Sequence, residues 1–438
     1  MSNLARYRIK NKNKMQDARY RMQDKKLSGI MYQASCIGHR VSCIGSSRAL
    51  CIMNHTGFTL VELMITMVVF VFVIAAGSSV LTGLLTQFKQ QSKIAETNIE
   101  GIIGLEILRQ DIECAGYGLP WDLNGASYQE AVNESDTPWI DSDFNDGPPN
   151  NPARGTESGD PSSNPPGAIR SGNGYALNGS DVLVIKAINV AKNDTCSKWT
   201  TLSFASPYVR TWYPESENLV PTDKVIVLST GETSTQRILI VNGTDFRTTF
   251  GNVTSSPWPP TDSSQTRIVY GVDPDTNLRM PFNRADYYVR RPTSNVPQRC
   301  APNTGILYKG IVNQSNGKLN ELPLLDCVAD MQVVYALDND EDGDFVDGEG
   351  TPADAYSDDI STLTAQQIRN RVKEIRVYIL AHEGQRDPNY TYPTNPVTVG
   401  EFGLGSSFDF TVHSITNWQN YRWKLYTIVI TPNNLRRT

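Results

Sequence analysis

The chain of 438 residues is long enough for two or three ordinary domains. Its formal charge of −6 hides an asymmetry: residues 1–52 hold 11 Lys/Arg against two Asp/Glu, leaving 29 against 44 in the remaining 386 residues. An acidic body argues against a nucleic acid partner, since phosphate neutralisation needs clustered Lys and Arg. Only His382 and His413 follow residue 55, which removes most routes to general-base catalysis.

The basic head, 1–52, shows neither helical nor strand periodicity. Its Cys36, Cys43 and Cys51 fit no metal pattern with matching histidines. Met53 offers a later start, which would shorten the head to Met53-Asn54-His55-Thr56-Gly57. Residues 1–52 read either as a mis-assigned start or as the disordered part of a leader over 1–57, absent from the mature protein in both cases.

From Phe58 to Leu85 run 28 residues whose single charge is Glu62. About 20 apolar residues suffice to span a bilayer. The Lys/Arg excess before the run puts the head in the cytoplasm and the body outside. A plain signal peptide cut near Ala75-Ala76-Gly77 leaves Glu62 unexplained, because a carboxylate in a membrane segment is costly and usually has a partner. Gly57-Phe58-Thr59-Leu60-Val61-Glu62 followed by this run resembles the cleavage and methylation motif of type IV prepilins. The resemblance implies cutting after Gly57 by a prepilin peptidase and N-methylation of Phe58. It also implies that Glu62 serves filament assembly by pairing with the N-terminal ammonium of a neighbouring subunit.

No proline interrupts 58–119, and Ile99, Ile102, Leu105, Leu108 and Ile112 recur every three or four residues. This predicts a single helix over 58–118 with its membrane segment at 58–85. Gly77-Ser78-Ser79 and Gly83 are either weak points or small residues for close helix packing. The segment Leu105–Gly118, with Arg109, Asp111, Ile112 and Ala115-Gly116-Tyr117, resembles the close of the first helix in PilW-type minor pilins and in J-type pseudopilins of type II secretion.

Residues 119–180 read as a polar, loop-rich insert, with Asn, Pro and Gly dense from residue 134 onward. Short β-rich runs follow at 181–190, 224–229, 237–241, 266–270, 286–290, 305–311, 327–337, 372–380 and 421–430. One long helix with many strands implies an α+β fold, a pilin helix followed by a β-rich globular head over 181–438. Tyr287-Tyr288-Val289, Leu307-Tyr308 and Val328–Tyr335 match the PilW-type succession, so the resemblance reaches most of 57–438.

Asp338-Asn339-Asp340-Glu341-Asp342-Gly343-Asp344 with Glu349 fits the D-x-D-x-D-G pattern of a calcium loop. Alternating carboxylates can converge on a hard cation; a solvated acidic turn is the bland alternative. A strand precedes it, so the expectation is a Ca²⁺ site without paired helices, using Asp338, Asp340, Asp342, Asp344 and Glu349. Cys300 and Cys327 flank two strands and a turn near Asn313–Gly317, which predicts a disulfide. Cys114 with Cys196 is the matching second pair, in an oxidising compartment. Trp212, Tyr213, Trp418 and Trp423 fit either subunit contacts or the core. No nucleophile elbow, Walker loop or zincin motif is present.

Together these readings give a non-enzymatic minor type IV pilin acting in assembly initiation or at the pilus tip, in adhesion or motility. A minor pseudopilin of type II secretion is the alternative. The resemblance implies other major and minor pilins, the peptidase and the inner-membrane assembly machinery as partners. The expected location is the inner membrane with a periplasmic head, then the pilus.

Overall fold

The computed structural model describes residues 59–132, 144–146, 165–230, 237–294 and 296–435. Two compact units are present, through Ala76 and from Gly77 onward; in the first, the described residues are the start of a helix. That helix, α1, spans Leu60–Glu113, 54 residues and so ~80 Å at 1.5 Å per residue. It stops where Gly116 (φ +81°) and Gly118 (φ +70°) take left-handed conformations that favour glycine. At Gly118 a Cβ would also lie 2.4 Å from Ile188, so backbone shape and space agree.

The strands, in chain order, are β1 (Ile169–Gly172), β2 (Val182–Ala187), β3 (Trp199–Leu202), β4 (Lys224–Ser229), β5 (Ile238–Leu239), β6 (Thr248–Thr249), β7 (Arg267–Asp273) and β8 (Asn283–Arg290). Next come β9 (Gly305–Val312), β10 (Leu319–Leu337), β11 (Ala355–Ser357), β12 (Val372–Glu383), β13 (Val397–Val399), β14 (Ser406–Phe408) and β15 (Arg422–Ile430). A short helix, α2 (Ala365–Arg371), precedes β12 and is closed by a capping box between Thr364 and Gln367. The main sheet is ordered β1-β2-β8-β9-β10-β12-β15, with β11 added to β10. A smaller sheet runs β3-β7-β4-β5 with β6 on β4, and β13 and β14 form a separate hairpin.

The main sheet is covered on both faces, and strict alternation sorts its side chains. On β12, Val377, Ile379 and Ala381 enter the core that contains Leu108 and Ile112 of α1. Tyr378 and Leu380 enter a second core with Val397, Phe408 and Phe410 around the hairpin. Each expected β-rich run contains a strand, which establishes the α+β architecture. The strand β10 begins eight residues before its expected start, because its first stretch Leu319–Asp326, largely exposed and interrupted by Pro323, also pairs with β9.

The helix face differs from the expected stripe. Leu108 and Ile112 are buried and Leu105 is partly so, but Ile102 is 64% exposed; nothing is described of the Ile99 side chain. The docked face is Gly101, Gly104, Leu108, Asp111, Ile112 and Ala115, at helical spacing. Its first two members carry no side chain: the backbone of β10 comes close to Gly104 at Leu324, and the Leu325 side chain lies against Gly101.

The segment 119–180, expected as a polar, loop-rich insert, contributes to the core where it is described. Leu119, Leu123, Tyr128, Phe144 and Ile169 are buried, and β1 lies inside the expected insert. The described parts of this segment contribute to a buried charge cluster. Asp146 accepts from Arg170 at 2.7 Å and Lys186 at 2.8 Å. Glu130 pairs with Lys186 at 2.8 Å and Arg284 at 3.0 Å, and Arg284 also holds Asp286 through two 2.8 Å bonds. Three acids meet three bases without access to water, an arrangement tolerable only when every charge is paired. Burial pushes the Asp146 carboxyl up, but Lys186 and Arg170 outweigh it and hold it below the usual range.

Cys300 and Cys327 form a disulfide, with Cα atoms 4.8 Å apart. It joins the loop before β9 to a bulge of β10, where Cys327 has φ +59°. The second expected pair does not form: Cys114 and Cys196 are free thiols. Cys114 follows the last turn of α1, whereas Cys196 is turned into its own 3₁₀ turn, its thiol donating to the Asn193 carbonyl at 3.2 Å. Burial pushes the Cys196 thiol up, as expected of an inert sulfur.

Candidate functional site

Gly57 and Phe58 lie outside the described residues, as do Cys36, Cys43 and Cys51. The first described position, Thr59, forms a reciprocal cap with Glu62. The Thr59 backbone N–H and hydroxyl each donate to Glu62 Oε2 at 3.0 Å, and the Glu62 N–H donates to Thr59 Oγ1 at 3.3 Å. This is the Ser/Thr-x-x-Glu capping box, a spacing the sequence carries at the head of its apolar run. It fixes the Glu62 carboxylate beside the backbone nitrogen that follows Phe58.

Leu60–Lys89 is the one helical stretch among the described residues long and apolar enough to cross a membrane. Its side chains from Leu60 to Leu85 are exposed on every side. A helix apolar all round requires lipid or other apolar helices about it.

At its other end α1 is fixed to the sheet by an ion-pair centre. Asp111 is fully buried; Lys192 approaches its Oδ1 at 2.8 Å, Tyr287 donates to its Oδ2 at 2.6 Å, and Lys309 pairs with the same oxygen. Lys309 also donates to the Val190 carbonyl at 2.7 Å. Burial lowers the Lys309 ammonium, opposed by Asp111. The Arg-x-Asp segment had suggested only a family likeness, not this buried partner set.

The acidic segment forms the loop of the β10–β11 hairpin, since Leu337 pairs with Ala355. Asp338, Asp340 and Asp342 bring carboxylate oxygens within 4.8 Å of one another. Asp344 and Glu349, expected with them, lie outside this group. Glu341 turns away, bonding Arg371 and Asn370 of α2 at 2.9 Å each. Asp354 braces the loop, accepting from the Asn339 N–H at 2.7 Å and the Val346 N–H at 3.0 Å. Gly350 is required where it stands: φ is +85° and a Cβ would lie 2.1 Å from Asp340 Oδ2. Burial and the nearby Asp342 and Asp354 carboxylates push Asp340 up, while Asp338 is held down, its burial outweighed by Lys373. Of the aromatic candidates, Trp423 is core, Trp212 and Trp418 are partly covered, and Tyr213 is exposed.

A long helix, capped at Thr59–Glu62 and apolar over its first half, ends in a turn that Asp111 holds to the β-rich sheet. Residues 52–78 match the prokaryotic N-terminal methylation motif, and residues 286–434 match the family of type IV pilus-assembly protein W. Over these two segments the chain is similar to PilW-type pilus-assembly proteins and to N-terminally methylated prepilins. A solved structure, the type IV-like pilin TTHA1219 from Thermus thermophilus, is 14% identical over 36% of this chain and 67% of its own, with a TM-score of 0.22. No curated protein matches significantly.

Proposed function

We propose that this protein is a minor type IV pilin that primes pilus assembly or occupies the pilus tip. In this reading it is cut after Gly57 and methylated on Phe58. Its head lies in the periplasm before assembly and at the cell surface afterwards, where it can serve adhesion or motility. The supporting observation is the union of one all-round apolar helix with a head of two sheets and an added hairpin. The helix supplies what a filament core needs, contact in every direction. A head built from an eight-stranded sheet, a five-stranded sheet and a hairpin on a single helix is most easily housed where one side has no subunit beyond it, at the growing end. Glu62 matters here because a carboxylate in an apolar bundle requires a cationic partner, and a neighbour's methylated ammonium is one.

The experiment is Glu62→Ala in the native cell. The variant is expected to remain in the membrane fraction at normal level while piliation, or its incorporation into pili, falls at least about tenfold. Normal assembly and incorporation would overturn the reading. Intact pili with lost protein secretion in a deletion strain would instead assign the chain to a type II secretion filament.

A further inference from the structure

We infer that the β10–β11 loop is a calcium site in which Asp338, Asp340 and Asp342 are the protein ligands. A group of acidic residues is by itself no site, since such groups are common on surfaces and are satisfied by water. The observation that separates this one is Asp338. It is fully buried, at 0% exposure, and its two oxygens are treated unequally. Oδ2 accepts from the Gly343 N–H at 3.0 Å and from Lys373 at 3.0 Å. Oδ1, buried from solvent, has no hydrogen-bond partner. A buried acceptor left unmatched is expensive, and a buried carboxylate oxygen more so.

What lies beside Asp338 is another acceptor, since the Asp340 carboxyl brings an oxygen within 4.8 Å of an Asp338 oxygen. Two carboxylates so close need a proton or a cation between them, and Asp342 brings a third oxygen to the same place. Lys373 is committed to Asp338 Oδ2 at 3.0 Å, and its single positive charge does not balance three carboxylates. A divalent cation matches the remaining charge. All-oxygen ligands select a hard ion, and the irregular spacing suits calcium, which accepts variable coordination, better than magnesium, which demands a near-ideal octahedron.

The surrounding loop is already shaped for this. Asp354 braces its two sides, Gly343 (φ +119°) makes the sharp turn, and Gly350 leaves room beside Asp340. Glu341 is withdrawn to Arg371, so the carboxylates that converge are those at alternate positions. The set is smaller than the sequence pattern implies, with Asp344 and Glu349 outside it and water completing the shell. Three ligands suit a weak external site, with a dissociation constant of ~10⁻⁴–10⁻³ M.

The full chain in non-ionic detergent, stripped with chelator, is titrated with calcium and with magnesium by calorimetry and by thermal unfolding. One calcium ion is expected to bind, with a rise in the unfolding midpoint that grows with calcium concentration. Asp340→Asn with Asp342→Asn, both at accessible positions, should weaken binding at least tenfold while circular dichroism stays unchanged. Asp344→Asn should bind as the native chain does. The inference is overturned if several millimolar calcium gives neither heat nor a midpoint shift. Equal binding by the double variant, or an equal response to magnesium, overturns it as well, because diffuse acidic charge would then explain the effect.

Discussion

Gly104 of α1 sits directly on the backbone of β10: a Cβ built on it would lie 2.2 Å from the Leu324 carbonyl oxygen and 2.8 Å from its carbon. The neighbour is main chain inside a paired strand, so it cannot rotate away. Gly104→Ala is therefore expected to destabilise the head by about 1–2 kcal/mol, overpacking of ~1–3 kcal/mol exceeding the helix-propensity gain of up to ~1 kcal/mol. Gly83→Ala, with nothing within 4 Å of its Cβ position, should leave stability unchanged or slightly raised. Thermal unfolding of the two variants side by side checks this; equal behaviour would mean that the helix does not rest on β10 at Gly104.

Asp111 and Lys309 give a second test of the same docking. Both side chains are nearly inaccessible, at 0% and 1% exposure. Removing one partner strands the other charge, so Asp111→Leu should cost about 3–5 kcal/mol. Asp111→Leu with Lys309→Met removes both charges and should recover more than half of that loss, a coupling that a double-mutant cycle measures directly. Strictly additive losses would show that the pair is not coupled.

The acid limb of stability should carry the signature of His382. Burial depresses this imidazole from 6.5 to about 3, and its Nε2 accepts from the Ala301 N–H at 2.9 Å beside the disulfide. The unfolded chain takes up a proton near pH 6.5 while the folded one refuses it until about pH 3. Stability contributed here is complete above the unfolded value and falls as pH drops from about 6.5 to about 3. His382→Gln keeps an acceptor for Ala301 and should flatten that decline, compared by denaturant titrations at pH 7 and pH 4. An unchanged slope would mean that His382 is protonated in the fold.

How far the sequence carried this structure depended on whether a residue's role matches its usual chemistry. The apolar run, the strands of the main sheet and the Cys300–Cys327 bond were legible because hydrophobic period and local spacing express them directly. The helix face was not, because Gly101 and Gly104 register as gaps in an apolar stripe although both are buried against the sheet. Lys186, Arg284 and Asp286 sit at strand positions that ordinarily face water, so their burial as a matched set gave no local signal. The strand β1 was hidden for the same reason, its Arg170 and Ser171 reading as loop. In the acidic loop the alternate aspartates were legible, but which of them converge depended on Gly350, Asp354 and Lys373, which the motif does not specify.

That the chain is a processed pilin anchored by its own helix can be read from the mass of the mature N-terminal peptide from the membrane or pilus fraction. The expected peptide begins at Phe58 and carries one added methyl group on its amine. A chain beginning near Ser78, or one still bearing residues before Phe58, would contradict the claim.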